Sequence, residues 1–276
     1  NAVNNIASLG ATPLAVGIVG TDAIGKVLLD KLKRFKVDVS GVKRDSTLHT
    51  PTKTRILAGS AHSNKQQVVR IDSKANKIDR HSVDRHVEKA FKALLPSADI
   101  VMVSDYNCGL ISPKVGNLLA ESASLLGRRA VLDSRRALGS FSGFTSATPN
   151  ESEVRAAVGV DLFANKKHFE LESRKLMKML KSQSLLVTCG SDGMALFEPR
   201  KKTQYIPIYG SNAIADVTGA GDTVISVYTL ALGAGASFYE AAVLANYAGG
   251  IVVMKRGTAT VSREELLYAV RSEESN

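Results

Sequence analysis

Cysteine is nearly absent, with Cys108 and Cys189 the two thiols in 276 residues. They lie far apart, each beside an expected strand end, which argues against a disulfide framework and against a metal site built on thiolates. Reduced thiols are expected. No apolar run approaches the roughly 20 residues needed to cross a bilayer, and the start shows no basic segment followed by an apolar stretch of the signal-peptide kind. A soluble, cytoplasmic protein with no membrane partner is expected. Long runs of one charge are missing too: the net charge of +10 is divided among short groups such as Lys33-Arg34, Arg128-Arg129 and Arg200-Lys201-Lys202, with few aromatics between them. Nucleic-acid surfaces need a more continuous basic track, commonly with stacking rings. No nucleic-acid partner is therefore expected, and the positive excess suits small anions such as nucleotides and sugar phosphates. Internal repeats and low-complexity linkers are also lacking.

What is present reads as one α/β domain over residues 1–276, since 44% hydrophobic content can fill a single large core at this length. Residues 1–9 carry a helical pattern that Gly10 terminates. Residues 13–20 read as a strand, and Asp22 is placed to cap a helix with Ile24, Val27, Leu28, Leu32 and Phe35 on one face. Between about residues 39 and 72 the pattern changes to short β-like pieces, 52–57 and 67–71, around a polar loop at residues 59–63. This insertion is the candidate lid. From residue 81 helix and strand alternate again, with strands at 99–104, 130–133 and 185–188, which predicts parallel sheet topology. A turn at Gly190-Ser191-Asp192-Gly193 leads into strand 194–197, and the last third is helical from Gly219.

The chemistry concentrates in Asp216-Val217-Thr218-Gly219-Ala220-Gly221-Asp222-Thr223, followed directly by the apolar helical pattern of residues 224–228. Small residues at a helix start let the N–H groups of Gly219, Ala220 and Gly221 approach an anion, and the helix dipole adds positive potential there. A carboxylate is disfavoured beside phosphate, so Asp222 in such a pocket suggests a proton acceptor for an attacking hydroxyl, as phosphoryl transfer requires. The plainer reading is a tight glycine turn with Asp222 as a cap. A dinucleotide fold is disfavoured, because its G-x-G-x-x-G lies in an early strand-to-helix turn with an acidic residue about 20 positions later.

The octapeptide resembles the D-T-x-G-A-G-D signature of the pfkB carbohydrate-kinase family, with Val217 where many members carry Thr. That resemblance implies a ribokinase-like three-layer α/β/α sandwich with a small β-rich lid, and an ATP-dependent kinase with Asp222 as its base. Gly219, Ala220 and Gly221 would form its anion hole. Thr148-Pro149-Asn150-Glu151-Ser152-Glu153 resembles the family's N-x-x-E element, in which Asn150 and Glu153 organise waters on Mg²⁺, a hard cation that prefers oxygen. The same two residues also fit a helix N-cap closed by a capping box. Residues 187–193 are similar to the strand and glycine turn beside the nucleotide, implying contacts from Thr188, Gly190 and Gly193, although a plain turn needs no ligand. Residues 245–250 resemble the helix that adenine approaches, implying Asn246, Gly249 and Gly250, with close helix packing as the alternative. Residues 255–262 resemble a loop that with Asp216 and Thr218 often holds a monovalent cation, so K⁺ is a candidate beside ATP and Mg²⁺.

On the acceptor side, Asn1 resembles the last residue of the family's G-G-x-x-N element. The glycines and first strand before it are expected to be missing, and no adenylyltransferase domain is expected after residue 266. Within the family, residues 5–11, 53–55, 66–72, 104–106 and 257–262 are similar to the D-glycero-β-D-manno-heptose-7-phosphate kinases. Departures are Asn107-Cys108-Gly109 and Asp133-Ser134-Arg135, the latter where those kinases show Asp-Pro-Lys. A sugar that already carries phosphate needs cations at its far end, and the arginine fork binds two oxygens at once. Arg55, Arg70 and Arg135 are the candidates, against the ordinary fate of strand arginines as solvated residues. Asp105, at a strand's C-terminal end where ligands collect in open α/β sheets, is a candidate acceptor for sugar hydroxyls or a helix cap. The expected reaction moves the γ-phosphoryl of ATP to O1 of a heptose 7-phosphate. A kinase for another sugar and a silent sugar- or nucleotide-binding protein are the alternatives. The resemblance also implies a homodimer paired through the lids.

Overall fold

The computed structural model describes residues 1–58, 66–73, 79–135, 137–210 and 216–274. The first part of the chain forms α1 (Ala2–Ser8), β1 (Leu14–Gly20), α2 (Ala23–Arg34), β2 (Asp38–Asp45), β3 (Thr52–Ala58), β4 (Gln66–Ser73) and α3 (Arg80–Leu94). The middle forms β5 (Ile100–Asp105), α4 (Pro113–Leu125), β6 (Arg129–Ser134), β7 (Ser146–Ala147), α5 (Glu151–Val158) and α6 (Lys166–Met179). Then follow β8 (Ser184–Thr188), β9 (Met194–Phe197), β10 (Gln204–Ile206), α7 (Ala220–Gly233), α8 (Phe238–Val253) and α9 (Arg263–Glu274). Helix starts follow local chemistry. Asp22 accepts from Gly25 N at 2.7 Å to open α2, and Ser112 caps α4, whose first residue is Pro113. Ser237 and Glu240 close a capping box on α8, supplying partners for N–H groups that lack one inside the helix.

Strand order in the main sheet is β10-β9-β8-β7-β6-β5. β5 to β8 run parallel, whereas β9 and β10 turn back antiparallel. The buried strands alternate between two cores, as a period of two requires when both faces are covered. Leu132, Leu185, Val187, Ala195 and Phe197 face one core with Val87, Phe91, Leu119, Phe169 and Leu176 of α3, α4 and α6. Val131, Leu186, Met194 and Leu196 face the other, with Ile225 and Tyr228 of α7 and Ala241, Ala245 and Ala248 of α8. Three layers result, helices on either side of one sheet.

Two smaller pairings stand apart: β1 beside β2 in parallel, and β3 against β4 as an antiparallel ribbon. The segment 39–72, read from the sequence as one insertion, thus contains two different pairings. Residues 38–45 belong to β2, whose register against β1 ties them to the body, and the ribbon comprises β3 and β4; the loop at residues 59–63 lies outside the described residues. Between β1 and β5 is a cavity of about 850 Å³ lined by Leu14, Val16, Ile100, Met102, Val87 and Phe91, among others. Cys108 and Cys189 are free, and burial pushes the Cys189 thiol up to about 12, which keeps it protonated. Among the described residues no helix is long and apolar enough to cross a membrane.

Candidate active site

The parallel strands all deliver their C-terminal ends to one edge. β5 ends at Asp105, β6 at Ser134, β7 leads into Asn150, and β8 ends at Thr188. Asn150 and Thr188 are themselves bridged in parallel. Against this edge stands the start of α7, where Gly219 adopts φ +86° as the N-cap. A side chain there would be strained. A Cβ placed on Gly219 would stand 3.7 Å from Asn1 Nδ2 and from Thr258 Cγ2, and one on Gly221 would meet nothing within 4 Å. There is thus free space beside Gly221 at the helix start, where Ala220 N donates to Val217 O at 3.2 Å, and a helix start of this kind fits an anion.

Asp222 lies in the first turn of α7 and is only 3% exposed. Its carboxylate reaches across the cleft: Oδ1 accepts from Tyr106 Oη at 2.7 Å. The Tyr106 ring is flanked by two cations, the Arg135 guanidinium at 5.0 Å and the β3 ammonium of Lys53 at 5.9 Å from its centroid. Burial first, and then the negative charge of Asp222, hold the Tyr106 phenol above its ordinary range, so it donates as a neutral hydroxyl. Beneath this pair lies Asp133. Its carboxyl is raised to about 7, by burial first and then by the charges of Glu153 and Asp222, with Arg135 opposing. Burial likewise raises Glu153.

Asn150 and Glu153 form a complete capping box on α5, with Glu153 N donating to Asn150 Oδ1 and Asn150 N to Glu153 Oε2, both at 2.9 Å. Their local role is therefore realised, while Glu153 also faces the carboxylates of the cleft. Among the described residues no three His, Cys, Asp or Glu side chains are grouped to hold a metal directly. The donor set fits a hydrated divalent cation instead: crowded carboxylates raise one another's pKa until a positive charge relieves them.

Asp105 is 6% exposed, and both its oxygens are engaged by the chain: Oδ1 accepts from Asn107 N at 2.9 Å and Oδ2 from Ser134 Oγ at 2.8 Å. It shapes the turn that carries Tyr106. Arg70 forms a two-pronged pair with Asp72 along β4. Arg55, its cross-strand partner, projects its charge onto Asp216, whose carboxylate is held low chiefly by hydrogen bonds from Thr218 and also by Gly257 N. Lys53, Arg55 and Arg70 share one face of the ribbon, while Ile56, Val69 and Ile71 share the other.

Three of the candidates for the nucleotide side, Gly193, Asn246 and Gly250, meet on the segment 206–209. A Cβ on Gly193 would lie 2.1 Å from Ile206 O and one on Gly250 2.3 Å from Tyr209 O. Asn246 Nδ2 donates to Pro207 O at 2.8 Å, and a Cβ on Gly249 would press Val224 at 3.3 Å. Close packing explains these four residues as they stand. Thr188 N donates to Pro149 O at 2.9 Å, and Gly190 opens a single turn with φ +57°. Sequence reasoning did not name Tyr106, Lys53 or Asp133 as candidate site residues, although each lies in a stretch compared with the heptose kinases above. The signal was a tyrosine immediately after a strand-ending aspartate.

An α/β/α sandwich whose glycine-started helix faces the carboxyl ends of parallel strands defines the ribokinase-like class. Solved structures agree on that fold. Arabidopsis thaliana ribokinase complexed with ribose and ATP superimposes with a TM-score of 0.75 at 20% identity, over 98% of this chain and 86% of that one. Escherichia coli phosphofructokinase-2 in complex with potassium gives a TM-score of 0.77 at 18% identity, over 99% and 86%. The model of the pfkB family carbohydrate kinases matches residues 1–265, and the chain belongs to that family. That family is one of carbohydrate kinases, phosphotransferases with an alcohol group as acceptor. Relatives include the bifunctional protein HldE of Desulfatibacillum aliphaticivorans, 35% identical over 96% of this chain and 53% of the relative. That of Geobacter sulfurreducens is 33% identical over 97% and 53%. The chain thus spans about half the length of the curated relatives it matches.

Proposed function

We propose that the chain transfers the γ-phosphoryl group of ATP to a hydroxyl of a sugar phosphate, with O1 of D-glycero-β-D-manno-heptose 7-phosphate as acceptor. One observation carries the reading: a buried carboxylate, Asp222, stands in the first turn of a helix started by Gly219 and accepts from Tyr106 at the end of β5. Such a carboxylate would repel a phosphate unless it served to take a proton from the attacking oxygen. In the transfer, the acceptor O–H gives its proton to Asp222 as its oxygen bonds to the γ-phosphorus. The bond to the bridging oxygen breaks, and ADP leaves with that electron pair. Gly219, Ala220 and Gly221 N–H groups hold the transferring oxygens. Asn150 and Glu153 would hold waters of a Mg²⁺ ion, which when bound neutralises phosphate oxygens.

The acceptor assignment is supported by the heptose-kinase strings in the sequence and by the HldE relatives. Cations suit it too, since Lys53 and Arg135 each lie beside the Tyr106 ring and Arg55 and Arg70 are cross-strand neighbours on the ribbon. Like charges placed opposite repel and are relieved by a bound anion. The turn joining Asp216, Thr218 and Gly257 is the candidate K⁺ position, and segment 206–209 with α8 the candidate adenine wall. The exposed apolar face of the ribbon, with Ile56, Val69 and Ile71 about half exposed, supports a homodimer. A coupled ATPase assay with heptose 7-phosphate, fructose 6-phosphate and ribose side by side tests the acceptor, with the first expected to turn over best. Asp222→Asn is expected to abolish turnover and keep ATP binding; wild-type kcat in that variant would overturn the base.

A further inference from the structure

The sequence separates Tyr106 and Asp222 by 116 positions, and no local pattern couples them. From their geometry we propose that Tyr106 is the positioning residue for the base. It would hold Oδ1 of Asp222 so that Oδ2 is turned to the acceptor hydroxyl and its proton. The proposal rests on the reading of Asp222 as base.

Three observations carry it. The contact is short, 2.7 Å between oxygens, in the range of hydrogen bonds to an ionised acceptor. Asp222 is buried, and its charged surroundings give it little other restraint. Glu153 on α5, Asp105 on β5 and Asp222 itself all act on the carboxyl of Asp133 on β6, with Arg135 opposing, and Arg135 and the ribbon's Lys53 lie by the Tyr106 ring. In that setting the Tyr106 hydroxyl is the side-chain donor that fixes one oxygen of Asp222. Finally, the ring of Tyr106 is itself held, by Arg135 from the end of β6 and by Lys53 from β3. Cations over an aromatic face are attracted by its quadrupole. Asp105 and Ser134 add a backbone anchor by fixing the turn at residues 105–107. Phenylalanine would fill the same space and serve a packing role equally well, so the hydroxyl is what a test must isolate.

The test uses the full chain with Mg·ATP and the acceptor that gives turnover in the panel above. Tyr106→Phe is expected to lower kcat roughly 10- to 100-fold, the size of one lost hydrogen bond to a charged group, with KM for ATP within about twofold. Because a donated hydrogen bond stabilises the ionised carboxylate, the acid limb of the kcat profile is expected to move to higher pH. With 3-fluorotyrosine at position 106, an isosteric and stronger donor, the limb is expected to move to lower pH. Without any ligand, the ¹⁹F resonance of that residue should titrate at lower pH when Asp222→Asn is introduced. Wild-type kcat in Tyr106→Phe, or a loss equal at every pH with both limbs unmoved, would overturn the positioning role and leave the base standing. If Asp222→Asn itself kept full turnover, the base would fall and this proposal with it. A Tyr106→Phe variant that failed to fold would leave the fluorotyrosine limb and resonance to decide.

Discussion

Asp133 shows how the cleft stores electrostatic tension in single residues. Its carboxyl sits at about 7 in the folded chain against an ordinary 3.8, because burial and the neighbouring carboxylates disfavour its charge. The folded state therefore holds this proton more tightly than the unfolded one. Below the ordinary value both states are protonated and nothing is lost. Stability then falls as pH rises from about 4 toward 7, and above that the full penalty persists. Asp133→Asn removes the charge, so its Tm relative to the native chain is expected to be higher at pH 8 than at pH 4, measured without nucleotide or Mg²⁺. An offset equal at both pH values would show that the charge costs nothing. Asp222 and the glycines before it were legible as a candidate site from eight consecutive residues, because an anion pocket at a helix start is a local construction. Asp105 was legible only as a strand-ending carboxylate. That Ser134 and Asn107 would engage its oxygens depended on β6 lying beside β5.

At the scale of elements, α5 and the β3–β4 ribbon each serve two purposes. The capping box of α5 fastens the helix start to the end of β7, while the Glu153 carboxylate is one of those that crowd Asp133. The two roles are separable. In Glu153→Gln the amide oxygen can still accept from Asn150 N, so the melting temperature is expected to stay near the native value. The Mg²⁺ concentration for half-maximal turnover is expected to rise severalfold, and unchanged Mg²⁺ dependence would confine Glu153 to capping. The ribbon is amphipathic because alternate residues point to opposite faces. One side carries Lys53, Arg55 and Arg70, and the other Ile56, Val69 and Ile71. The sequence marked this stretch as β-like and lid-forming, but β2 fell inside the expected boundaries. Its parallel partner, β1, lies more than twenty residues earlier, and no local period reports such pairing.

For the molecule as a whole, an exposed apolar ribbon face needs a cover, since contiguous apolar surface is disfavoured in water. If two ribbons pair through it, Ile56→Glu with Val69→Glu is expected to convert a dimer to monomers by light scattering. A native chain that is monomeric at all accessible concentrations would remove the dimer. Strands β1, β5, β6, β8 and β9, the caps at Asp22 and Asn150, the glycine-started helix and the family were readable from the chain itself. Each depends on residues within a few positions of one another, where hydrophobic period, caps and turn chemistry act. The packing of Gly193, Asn246 and Gly250 onto segment 206–209 and the bond from Tyr106 to Asp222 were decided only when the sheet assembled. Those contacts join residues separated by 13 to 116 positions. Which strands become neighbours, and so which side chains meet, is set by the packing of both cores at once.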